Sequence, residues 1–124
     1  MYIRYNNNPL DKLVGDCVIR SISKALGLSW DEVHNDLCDL SNEMADMPSS
    51  NAVWGTYLES LNFKRGNPSS DCPMCYTIRN FAENNRDGIY VVGTGSHVVC
   101  IINGDYYDTW DSGDEIPIIY FKRR

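Results

Sequence analysis

Two runs of alternating β-branched and aromatic residues, HVVCII (97–102) and DYYDTW (105–110), flank the dipeptide Asn103-Gly104. This is the strongest short hairpin signal, because a type I′ turn needs positive φ at both central residues and Asn-Gly supplies it cheaply. A two-residue loop sets the register: Ile102 opposite Asp105, Cys100 opposite Tyr107, Val99 opposite Asp108 and His97 opposite Trp110. Alternation then places His97, Val99, Ile101, Tyr106, Asp108 and Trp110 on one face. Cys100, Tyr107, Thr109 and Asp111 take the other. His97 and Asp108 become diagonal neighbours, with backbones about 7–8 Å apart and a side-chain hydrogen bond in reach. An acid facing the same way as a histidine among apolar residues is unusual unless the two are paired. Trp110 is placed to cover that bond. The competing reading is a histidine that merely starts a strand, beside an ordinary strand-end charge.

Two further strands flank this hairpin, IYVVGT (89–94) and IPIIYF (116–121), separated by Gly, Asp and Ser. Ahead of them the pattern is helical. Asp16 is set to cap a first helix with Val18, Ile19, Ile22, Ala25 and Leu26 on one face, closed by Gly27. Ser29-Trp30-Asp31-Glu32 is a capping box opening a second helix to about Leu40, with Val33, Leu37 and Leu40 inward. Ser50 or Asn51 caps a third, Ala52–Leu61, and a short fourth runs from Thr77 to about Glu83. Residues 41–50 and 62–75 read as loops, and Tyr2–Tyr5 as a short strand. Helices followed by an antiparallel meander of about four strands make the expected class α+β, in one domain spanning 1–124.

A chain of 124 residues can bury one core without staples. Its formal charge of −6 argues against a nucleic-acid binder. The one basic run, Lys122-Arg123-Arg124, reads as a solvated terminus. No apolar run is long enough to cross a bilayer, and MYIRYNNNPLDK lacks the apolar stretch of a secretory signal, so the expectation is a cytoplasmic protein with no membrane partner. Five cysteines without an export signal are expected to be free thiols.

One of those thiols, Cys17, opens the first core helix in GDCVIRSISKAL (15–26). A thiol enzyme needs a thiolate, a base that also serves as acid, and a group that orients the base. The unpaired N–H groups of a first helical turn favour S⁻ over SH, and Gly15 lets backbone and substrate approach. Cys17 as nucleophile, His97 as base and Asp108 as orienting group satisfy all three needs. A plain buried cysteine is the alternative.

That chain order, cysteine on the first core helix and then His and Asp on adjacent antiparallel strands, resembles the papain-like cysteine peptidases and their bacteriocin-processing relatives. Asp108-Thr109-Trp110 is similar to that family's Asn-Ser-Trp, in which the amide orients the base and the indole shields it. The resemblance implies a papain-like fold, a Cys17–His97–Asp108 triad and hydrolysis or transfer at an amide, peptide or thioester carbonyl, with no cofactor. It implies a peptide or protein substrate. The family's oxyanion-binding Gln is missing from NNNPLDKLVGD, where Asn6, Asn7 or Asn8 could substitute beside the Cys17 N–H; Asp16, Asn8 and Trp110 are the expected supporting residues. The chain is also much shorter than papain, which favours a small or very specific substrate. The whole pattern further resembles small bacteriophage and prophage proteins of gut Firmicutes. For such a protein the host cytoplasm and a host bacterial protein are the implied place and partner, and a catalytically inactive binder is the alternative function.

Cys72-Pro73-Met74-Cys75 has the spacing of half a zinc site, which Cys38 and His34, four apart on one helix, could complete. It also resembles a redox pair, but without the βαβ context. A loop with two thiols is the simplest reading, and His34 alone reads as surface. Asp111, Asp114 and Glu115 form an acidic corner without EF-hand spacing, expected to be a solvated turn.

Overall fold

The computed structural model describes residues 1–68 and 76–124. The Asn103-Gly104 turn forms with φ of 49° and 86° at its two residues, and Cys100↔Tyr107, Ile101↔Tyr106 and Ile102↔Asp105 pair in the expected register. Around this hairpin the described residues form four helices and a six-stranded mixed sheet, an α+β arrangement. In chain order the elements are β1 Tyr2–Arg4, α1 Cys17–Leu26, α2 Trp30–Met44, α3 Asn51–Ser60, β2 Phe63–Gly66, α4 Ile78–Asn84, β3 Ile89–Gly93, β4 Val98–Ile102, β5 Asp105–Asp108 and β6 Ile119–Arg123. The strand order is β1-β5-β4-β3-β6-β2, with β1 parallel to β5 and every other pair antiparallel.

Three expectations are corrected. The sheet has six strands rather than about four, because β1 joins one edge and Phe63–Gly66, expected to be loop, joins the other. A lone apolar residue in FKRG hid β2; Phe63 is buried, while Lys64 and Arg65 are exposed. Nor does the meander continue past β5. The chain crosses back, and β6 lies between β3 and β2, starting at Ile119 because Pro117 has no N–H for the ladder. Finally, α2 runs four residues beyond Leu40. Its buried stripe continues Val33, Leu37, Ser41 at four-residue spacing through a serine that does not look apolar, and the helix ends at Ala45 with φ 52°.

Two cores sandwich the sheet. Ile22, Leu37, Trp54 and Leu58 from α1, α2 and α3 pack with Val91, Cys100 and Phe121 on one face. Ile78, Phe81 and Ala82 of α4 pack with Tyr90, Val92, Val99, Ile101 and Tyr106 on the other. No helix among the described residues is long and apolar enough to cross a membrane.

At Gly93, opposite Ile119, the two strands and Trp54 approach too closely for a side chain: a Cβ there would lie 2.9 Å from Ile119 Cγ2. Gly93→Ala is therefore expected to cost about 1–3 kcal/mol by overpacking, measured by urea denaturation. An unaffected midpoint would contradict the β3–β6 pairing.

Candidate active site

α1 begins at Cys17, but not for the reason expected. Asp16 stands at the N-cap without capping: its side chain makes no bond to the first turn. Its carboxylate instead accepts from Arg20 Nη1 at 2.7 Å, Trp30 Nε1 at 2.9 Å and Asn8 Nδ2 at 3.4 Å. Charge decides the competition, because a guanidinium one turn along offers a stronger bond than a backbone N–H. The start of the helix beside Cys17 is left without a side-chain cap. One turn on from Cys17, Ser21 Oγ donates to the Val98 carbonyl at 2.9 Å, tying α1 to the residue after His97.

His97 stands just before β4, at the foot of the turn from β3. Thr94 N–H donates to the His97 carbonyl at 2.7 Å, closing that turn around Gly95 and Ser96. His97 and Asp108 both lie beyond the last β4–β5 pair, Cys100↔Tyr107, at the end of the sheet where α1 starts. Here they meet: His97 Nε2 is 2.5 Å from Asp108 Oδ2. With Nε2 engaged, Nδ1 is the ring nitrogen left for the thiol. Trp110 lies outside β5, yet its ring centroid is 5.0 Å from that of His97, so the indole covers the imidazole as expected.

Asp108 is fully buried and fully bonded. Its Oδ2 also accepts from Ser112 Oγ at 2.7 Å, and Oδ1 accepts from Arg20 Nη2 at 3.0 Å and Thr109 N–H at 2.8 Å. These four donors saturate a carboxylate. The sequence reading missed Arg20 and Ser112. Arg20 had a legible signal, since it sits at i,i+4 from Asp16 on a helix whose neighbouring positions are buried. Ser112 had none, because its reach to Asp108 depends on how the chain bends after β5.

The electrostatics follow from this chain of contacts. Burial pushes the Cys17 thiol up, but the His97 imidazole, the Val98 backbone and the charge of Arg20 facing it outweigh this and lower its pKa. Burial pushes His97 down, but the hydrogen bond to Asp108, the nearby Cys17 thiol and the charges of both raise it to about 9. Asp108, disfavoured by burial as a charge, is held below its ordinary value by His97, Ser112 and Thr109. All three shifts favour the charged forms, thiolate, imidazolium and carboxylate, over the neutral ones. His97 thus adds stability in full below its ordinary pKa of 6.5, lost as pH rises through about 9. Asp108 adds stability above its ordinary 3.8, lost as pH falls through its lowered value.

A cleft of about 330 Å³ opens on this pair, lined by Gly15, Cys17, Thr94, His97 and Val98 together with Ser49 and Asn51. Asn51 was not foreseen as a site residue. Trp54 Nε1 donates to its Oδ1 at 3.0 Å, and an indole N–H can only donate, so the amide is fixed with Nδ2 left as a donor. The earlier asparagines are committed elsewhere: Asn6 to Asp11 and Lys12, Asn7 to Ser23, and Asn8 to Asp16, Leu10 and Lys12. None of them lines the cleft. Asn8 and Asp16 support Arg20 rather than a substrate oxygen.

Of the alternative zinc ligands, Cys72 and Cys75 lie outside the described residues. His34 is half-buried rather than surface, stacked on Trp30 with ring centroids 4.8 Å apart, and its Nε2 is 3.6 Å from Cys38 Sγ. Cys17, Cys38 and Cys100 are free thiols. The acidic corner is not simply solvated, since Arg79 reaches Asp114 at 2.6 Å and Asp111 at 3.6 Å.

No family model matches the chain, and neither does a curated protein or a solved structure.

Arg20 is the testable keystone. Arg20→Met leaves two buried carboxylates without their cation and is expected to cost about 3–5 kcal/mol, whereas Ser112→Ala is expected to cost about 1 kcal/mol. Urea denaturation near neutral pH measures both, and equal small losses would contradict a buried charge chain.

Proposed function

We propose that this chain is a thiol-dependent hydrolase or transferase of papain-like type, acting on an amide, peptide or thioester carbonyl. One observation carries the reading: a thiol at a helix start, an imidazole and a buried carboxylate share one chain of contacts, and a cleft opens beside the thiol. The order of these residues along the chain, and the indole over the histidine, are similar to the papain-like pattern. A catalytically inactive binder derived from such a fold would more naturally bury the pair under packed side chains, so the cleft favours catalysis. A peptide or protein substrate fits it, and for a phage-encoded chain that substrate is a host protein.

In the proposed mechanism Cys17 S⁻ attacks the carbonyl carbon, and the electron pair moves onto the carbonyl oxygen. The Cys17 backbone N–H and Asn51 Nδ2 donate to that oxyanion. As the tetrahedral intermediate collapses, His97 gives its proton to the leaving amine or thiolate, leaving an acyl-thioester on Cys17. Neutral His97 then takes a proton from water, which attacks the acyl carbon and releases the acid and the thiolate. An amine in place of water gives transfer. Asp108 holds the imidazole in position and stabilises its charge throughout, and Arg20 holds Asp108.

Fluorogenic peptide amides and acyl thioesters test this proposal, with mass spectrometry of the intact protein to detect an acyl adduct. Cys17→Ala is expected to abolish both turnover and adduct, and Asn51→Ala to lower kcat by about 10² with little change in KM. Turnover that survives Cys17→Ala, or no adduct from any acyl donor, would overturn the reading.

A further inference from the structure

The run Lys122-Arg123-Arg124 does not stand alone. Because β2 pairs with β6, Lys64 and Arg65 are brought against it, and together with Tyr120 these five cations line a cleft of about 470 Å³. All five are exposed, and among the described residues no carboxylate lies within ion-pairing distance of any of them. Lys64 directly faces Lys122 across the antiparallel ladder, an arrangement of like charges that destabilises a strand pair. Lys122 does find a partial partner in the Tyr90 ring, 5.5 Å away. The cleft collects five of the chain's eleven Lys and Arg, while the rest of the molecule carries six against seventeen Asp and Glu. Such a concentration, kept at a local cost in stability, marks a surface that works by its charge.

We propose that this cleft binds a short acidic peptide segment in extended conformation. Among the described residues β2 is the outermost strand of the sheet, paired only with β6, so its free edge can accept a further strand whose carboxylates lie beside Lys64 and Arg65 and reach Lys122 and Arg123 across β2. The cations that discourage indiscriminate edge pairing also select for an acidic strand. Four-residue β2 spans about 13 Å, enough for a short segment. An extended nucleic acid would run beyond the cleft onto a strongly acidic molecule, and a short peptide would not. The cleft lies toward the end of β6 away from Ile119, which pairs with Gly93 at the start of the turn to His97. Binding there leaves the Cys17 cleft open and is independent of whether Cys17 reacts.

The test is fluorescence anisotropy of a labelled peptide rich in Glu and Asp, beside an uncharged Gly/Ser peptide and a single-stranded oligonucleotide. The acidic peptide is expected to bind, to weaken as salt rises and to lose binding in Lys64→Glu and in Arg123→Glu. Lys64→Glu creates an opposite-charge pair with Lys122, so its thermal midpoint should hold or rise, which separates lost binding from lost folding. Absence of binding, or binding unchanged in either variant, overturns the proposal. Tighter binding of the oligonucleotide overturns it in favour of a phosphate-backbone site. Salt-sensitive self-association of the unmodified protein that Lys64→Glu abolishes overturns it in favour of a second copy.

Discussion

A single guanidinium, buried between two carboxylates, holds the candidate site together. Arg20 bonds Asp16 within its own helix and Asp108 from a strand 88 residues further on. Asp16 in turn gathers Asn8 and Trp30, while Asp108 gathers His97, Ser112 and the Thr109 N–H. Three ionised groups taken from water each carry a desolvation penalty of several kcal/mol. The return is specificity: the fan of planar donors accepts only one relative placement of α1 and β5, and that placement brings Cys17 to His97. The same network explains why Asp16 abandons the capping role its position suggests.

Environment, rather than residue type, separates the cysteines. Cys100 lies fully buried in an apolar layer, and burial pushes its thiol up to about 12, so it is inert as a nucleophile. Cys17 is half-buried, one helix away, and its pKa moves the other way because His97, the Val98 backbone and Arg20 face it. Two titrating groups whose values are driven apart, thiol down and imidazole up, are what acid–base chemistry near neutral pH requires.

Much of this was legible in the amino-acid order because it was local. Asn103-Gly104 fixes its turn and register by backbone sterics, and Ser29, Ser50, Thr77 and Gly27 end or start helices where capping chemistry says they should. The His97–Asp108 pair was expected from that register, but the ladder stops at Cys100↔Tyr107 and the two residues meet beyond it, where Asp108 also reaches Arg20 of α1. What escaped was long-range or disguised. β2 has too few apolar residues to announce a strand and exists because β6 offers an edge. The crossover of β6 to β3 depends on which sheet edge is free after the hairpin closes. Asn51 enters the cleft only because α3 packs on α2, which packs on α1, and Lys64 joins Lys122 only through β2. Asn6, Asn7 and Asn8 were plausible donors by composition, but each is used by nearby loop, helix or Asp16 groups.

The central claim is that Cys17 and His97 share charge as thiolate and imidazolium. The most direct measurement is the rate of iodoacetamide labelling of Cys17 against pH, located by mass spectrometry, in the unmodified protein and in His97→Ala. The account predicts that Cys17 labels faster than the other cysteines, with a midpoint below the ~8.5 of an ordinary thiol that moves up when His97 is removed. A Cys17 that labels no faster than Cys38, or a midpoint indifferent to His97, would contradict it.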